Sequence, residues 1–152
     1  MLGGYIGDLE AGDVLRPVTY VLTQEHCSEH AHGAEQNAEI FHSSDNPLGR
    51  QIRMPTMVHT DKMRLLELNC PLEPRFSGKQ AKDARIHYEY HATHHGVAYV
   101  GDTINVTARI ADRYEKRGRE YLDYEIEVRT GDGRLITTYK DKTLLKFIKA
   151  GA

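Results

Sequence analysis

The chain has 152 residues, 39% hydrophobic and 28% charged, with a formal net charge of -2. That length supports one packed core rather than two, so a single domain over 1–152 is expected, and the charge balance offers no basic field for nucleic acid. No run approaches the roughly 18 apolar residues of a membrane span, and the opening MLGGYIGDLEAGD carries neither the basic nor the apolar region of a leader, which points to a soluble cytoplasmic protein.

The stretch DVLRPVTYVLT (13–23) is rich in β-branched and aromatic residues and predicts a strand or extended segment. Thr23 then reads as the cap of a polar helix over QEHCSEHAHGAEQN, with Gly33 as a break or C-terminal cap. The cluster SSDNPLG (43–49) is made of turn formers and predicts an exposed bend. MPTMVHTDKMRLLELN (54–69) is the strongest helix pattern, with Pro55 at the start where its missing N–H costs little. Met54, Met57, Val58, Leu65 and Leu68 share one side of that helix, and Asp61 falls in the middle of them. The segment CPLEPRFSGKQAKD (70–83) breaks the pattern and predicts a loop. Cys27 and Cys70 lie in different predicted elements without CxxC spacing, which argues against a disulfide scaffold or a zinc knuckle.

From Arg85 the period becomes two. IHYEYHA, TINVTARI, YLDYEIEV and RLITTYKDKTLLKF each alternate, with turns at YVGD, EKRGRE and TGDGR. These predict an antiparallel meander with one polar and one apolar face. A long apolar helix between a first strand and such a meander can bury its stripe only against the sheet's apolar face. The arrangement is the α+β hot-dog architecture, a sheet wrapped around a long central helix, whose uncovered edge strand favours a dimer.

The stretch YVGDTINVTARIADRYEKRGREYLDYEIEVRTGDGRLI resembles the corresponding part of MaoC-like hot-dog proteins, the (R)-specific enoyl-CoA hydratases and 3-hydroxyacyl dehydratases. IGDLEAGDVLRPVTYVLTQEH is similar to that family's opening, and NPLGRQIRMPTMV to the turn and helix start of one of its branches. The resemblance implies a protein handling acyl-CoA or acyl-carrier-protein thioesters, by reversible addition of water to a 2-enoyl thioester. No cofactor is expected, and a homodimer or a heterodimer with another hot-dog subunit is.

Active members carry D-x-N-P-x-H, where Asp and His jointly activate water. Here the segment reads EQNAEIFH: Glu35 stands for the Asp, Asn37 matches, Ala38 replaces the Pro, and His42 comes one or two residues late. The oxyanion donor at the helix start falls on MPT, where Pro55 has no N–H and Thr56 is the nearest substitute. The candidate catalytic residues are therefore Glu35, Asn37, His42 and Asp61, and the candidate substrate-binding residues Met54, Thr56 and Met57. On residue type alone, Glu35, Asn37 and His42 also fit an exposed helix end. Asp61 fits either an ion pair with a basic neighbour or a catalytic carboxylate of the kind hot-dog thioesterases place on this helix. Three classes follow: a hydratase or dehydratase, a catalytically weak or silent acyl-binding subunit, and a thioesterase. Among the nine histidines, His26 and His30 share a helix face and His87, Glu89 and His91 a strand face, but neither set has a compelling further metal ligand and a solvated sheet face explains the strand set. His94 and His95 fall at a strand end, in an exposed turn or near a substrate tunnel.

Overall fold

A computed structural model describes residues 4–72 and 86–146. Its centre is a five-stranded antiparallel sheet in the order β1-β3-β4-β5-β2, with β1 over Val18–Val21, β2 over Ile86–His94, β3 over Thr103–Lys116, β4 over Arg119–Thr130 and β5 over Leu135–Lys146. Between β1 and β2 lie α1, Gln24–Gly33, and α2, Val58–Asn69. The expected loop 70–83 falls outside the described residues from 73 onward.

The α+β hot-dog architecture is present, with two corrections. The expected four-strand meander is a three-strand one. β3, β4 and β5 are joined by hairpins, whereas β2 pairs with β5 at the far edge, Tyr90 opposite Asp141 and Ala92 opposite Tyr139. Alternation reports that a segment is a strand and which way its side chains point, and it is silent on which strand lies beside it. The central helix is also short rather than long. α2 has 12 residues, preceded by a separate 3-10 turn at Pro55–Met57 and closed before Pro71.

The buried stripe of α2 is wider than the sequence pattern suggests: Lys62, Leu66 and Asn69 are buried beside Val58, Asp61 and Leu65, while Leu68 is only half-buried. It packs on the sheet face that carries Ile104, Val106, Ile110, Leu122, Ile126 and Val128, each such side chain contributing about 1.5–3 kcal/mol of burial. β1 is shorter than the expected 13–23 segment. Its N-terminal flank runs on past Pro17 to a single bridge between Val14 and Arg109. Thr23 caps α1 as expected, its Oγ1 accepting from the His26 N–H at 3.2 Å, and α1 ends at Gly33.

Two irregularities position the site. The segment 95–102, which carries the chain from β2 across to β3, runs beside residues 51–53: the Arg53 N–H donates to the Ala98 carbonyl at 3.1 Å, and the Val100 N–H to Gln51 at 3.0 Å. This holds Arg53 next to the start of α2. On β2 a bulge lies between His87 and Glu89. It breaks the expected alternation, so that His87 and Tyr90 both meet α2's His59 and β5's Tyr139, while Tyr88 meets Tyr121 instead.

Candidate active site at the start of the buried helix

The start of α2 is organised by a triad of the buried Arg53 and Asp61 with the half-buried Tyr20. Arg53 is 3% exposed and Asp61 fully buried. The guanidinium donates from Nη2 to Asp61 Oδ2 at 2.9 Å and from Nη1 to the Tyr20 hydroxyl at 3.2 Å, and Tyr20 in turn donates to Asp61 Oδ1 at 2.5 Å. A lone carboxylate there would carry a desolvation penalty of several kcal/mol, and the paired donors offset it. Burial lowers the acidity of the Tyr20 phenol, and the Asp61 charge lowers it further, so Tyr20 remains a hydrogen donor. For Arg53 burial pulls the other way, but the Asp61 carboxylate overrides it and keeps the guanidinium charged. Asp61 is thus the ion pair with a basic neighbour that the helix pattern allowed.

His30 of α1 reaches the same helix start. Its Nε2 lies 2.9 Å from Thr56 Oγ1. Burial, with help from the nearby Arg53 charge, lowers the His30 pKa below its ordinary value, leaving a neutral imidazole able to take a proton. An apolar slot of about 120 Å³, lined at the helix start by Arg53 and Pro55, runs on between Phe41, Ile52, His94 and Ile136. His94 itself contacts Thr137 at 3.1 Å, and its pKa is lowered by burial and by Arg53.

The residues read from EQNAEIFH do not gather around Thr56 by any contact among the described residues. Glu35 is exposed, in the left-handed region at φ 54, just past the end of α1. Asn37 is exposed. His42 donates from Nε2 to the Gln36 carbonyl at 2.6 Å, within its own loop. Thr56 stands exposed at the helix start, Met54 is half-buried before it, and Met57 is in the core at 3% exposure. Sequence reasoning placed no role on Tyr20 or Arg53, and noted His30 only as a neighbour of His26. The one available signal was a pairing requirement: a carboxylate centred on an apolar helix face needs a cation, and Arg53 lies eight residues before it.

A sheet curled over one buried helix defines the hot-dog fold. Solved hydratase and dehydratase structures share it. R-hydratase PhaJ1 from Pseudomonas aeruginosa aligns with a TM-score of 0.70 at 10% identity, over 93% of this chain and 85% of that one. The C-terminally truncated HadBC complex, a 3R-hydroxyacyl-ACP dehydratase from Mycobacterium tuberculosis, aligns at 0.69 and 15%, over 88% and 96%. The MaoC-like dehydratase from Rhodospirillum rubrum aligns at 0.67 and 12%, over 96% and 99%. At these identities the likeness is one of fold. No family model and no curated protein matches the sequence. No helix among the described residues is long and apolar enough to cross a membrane.

Proposed function

We propose that the chain handles acyl thioesters of CoA or a carrier protein, at the start of α2, as a hydratase- or dehydratase-type hot-dog subunit with weak turnover of its own. One observation carries this reading: the helix start keeps a neutral imidazole on a hydroxyl, His30 on Thr56, and the adjoining Arg53 and Pro55 line an apolar slot. Glu35 and His42, meanwhile, are engaged with their own loop or with solvent. Hydration of an enoyl thioester needs a base on water, a proton for the α-carbon and a donor for the carbonyl oxygen, held together to within a fraction of an ångström. Loss of one oxyanion donor costs about 10²- to 10³-fold in rate, and a misplaced acid or base a further 10²- to 10⁴-fold. A second hot-dog subunit, identical or different, would complete such a site. Asp61, sealed and doubly paired, is assigned to holding Arg53 and Tyr20 rather than to attack on a thioester.

The test is turnover of crotonyl-CoA and longer enoyl-CoA thioesters by the purified chain, with calorimetric titration of acyl-CoA in parallel. We expect saturable binding, near-background turnover, and no further loss in Glu35→Ala or His42→Ala. Brisk turnover abolished by either substitution would show that the loop residues form a working site; absence of both binding and turnover would remove the thioester reading.

A further inference from the structure

A second cluster of titratable groups sits on the other side of α2, between that helix and the β5–β2 edge. Its anchor is Asp141, whose carboxylate is fully buried. Oδ1 accepts from Lys62 Nζ at 2.5 Å and Thr143 Oγ1 at 2.9 Å; Oδ2 accepts from the Tyr139 hydroxyl at 2.8 Å and His87 Nε2 at 2.6 Å. With each oxygen already accepting two hydrogen bonds, Asp141 serves to orient its partners.

The network fixes both imidazoles. A carboxylate has no proton to give, so His87 Nε2 carries the hydrogen. Burial and the Asp141 charge keep the Tyr139 phenol protonated, and it donates to Asp141. Its oxygen therefore accepts from His59 Nδ1, 2.9 Å away. His59 Nε2 and His87 Nδ1 are left as proton-accepting nitrogens on two rings whose centroids are 5.2 Å apart. The His87 side chain is 39% exposed. These rings line a cleft of about 160 Å³ together with the polar Lys62, Tyr124 and Thr143 and the apolar Ile6, Met63 and Leu66.

We propose that this cleft is a binding site for a short carboxylic acid, its carboxylate on His59 and His87 and its hydrocarbon against Met63 and Leu66. As the anion arrives the His59 imidazole takes a proton from solvent, forming an imidazolium–carboxylate pair, while His87, held by Asp141, flanks the anion; nothing else changes covalently. The apolar wall of Ile6, Met63 and Leu66 is short, which matches the hydrocarbon of a small acid. The groups that face His59 agree with the sign. His87 and Tyr90 of β2, Tyr139 and Asp141 of β5, and Lys62 of its own helix surround it, with the His30 imidazole of α1 also acting on it. Burial, the neighbouring His87 and Lys62 together hold its pKa below the ordinary value against the pull of Asp141. An incoming anion offsets that penalty, so binding takes up a proton and strengthens as pH falls from 8 toward 6, by up to about tenfold per pH unit. The proposal does not depend on thioester chemistry at the other side of the helix.

The experiment is an NMR titration of the full chain with butyrate at pH 6 and pH 8, following the imidazole carbon-bound protons, with butyramide as the neutral isostere. Saturable shifts of two histidines with a midpoint below about 10 mM, tighter at pH 6, absent with butyramide and weakened at least tenfold in both His59→Gln and His87→Gln, are expected. Circular dichroism melting shows whether either variant stays folded, and the other carries the test if one does not. Equal shifts with butyramide, tighter binding at pH 8, or unchanged affinity in a folded variant would overturn it.

Discussion

Replacing Arg53 by Met tests whether the triad supports the helix start. The substitution keeps much of the side-chain volume while removing the donors to Asp61 at 2.9 Å and to Tyr20 at 3.2 Å. Asp61 is fully buried, so its charge is left with the Tyr20 hydroxyl alone among these partners. Breaking a buried pair by removing one member costs about 3–5 kcal/mol, because the other charge stays desolvated. For a chain of this size each kcal/mol moves the melting temperature by about 2–4 °C, which gives a fall of about 6–20 °C. The double variant Arg53→Met/Asp61→Leu removes both charges and should regain most of that loss. The Tyr20 hydroxyl, then without its acceptor, retains a penalty of about 1–3 kcal/mol that adding Tyr20→Phe should relieve.

Urea unfolding of the wild type, the two single variants and the double closes a double-mutant cycle, with coupling expected well above 1 kcal/mol. If Arg53→Met costs less than about 1 kcal/mol, the carboxylate is not sealed as described, and the assignment of Asp61 to support of the site fails. Asp61→Asn gives an independent reading. It leaves the guanidinium buried without a counter-charge and should destabilise as much as Arg53→Met does.

Two further outcomes follow from the titratable groups. His30, His59 and His94 all have pKa values lowered in the folded chain, chiefly by burial; the unfolded chain binds more protons, so the stability they contribute is present above about pH 6.5 and is lost as pH falls below it. Melting temperature should decline from pH 7.5 to 5.5, and a flat profile would contradict the partial desolvation of these rings. Cys27 is fully buried, its thiol pushed up to about 11 by burial, and Cys70 is fully buried as well; neither should react with a thiol reagent at neutral pH until the chain unfolds.

How much was legible in the sequence differs between fold and site for a physical reason. Thr23, Pro55 and the period-two runs act locally: a cap, a first-turn proline and an alternating strand each satisfy their own neighbourhood, so they could be read one segment at a time. The Asp-Gly turn at 132–133 was legible in the same way, Gly133 taking φ 88 between β4 and β5. The site residues are brought together by non-local pairings. Arg53 lies beside Tyr20 because the 95–102 crossover holds residues 51–53 in place, and no periodicity in either segment records that.

The bulge on β2 carries the same argument one step further. As a regular strand, IHYEYHA would put His87 with Glu89 and His91 on one face, the arrangement that suggested a metal set. One extra residue at Tyr88 places His87 with Tyr90 on the helix side, while Glu89 and His91 pair with each other at 2.7 Å. The bulge therefore decides whether His87 faces solvent or reaches Asp141, and with it whether β5's alternating Tyr139, Asp141 and Thr143 are the polar side of a strand or the floor of a site. Those three residues share one strand face, at alternate positions 139, 141 and 143. What they needed was a partner strand, and pairing between β2 and β5 across some fifty residues of chain is set by the closure of the whole sheet around α2 rather than by either strand's own composition.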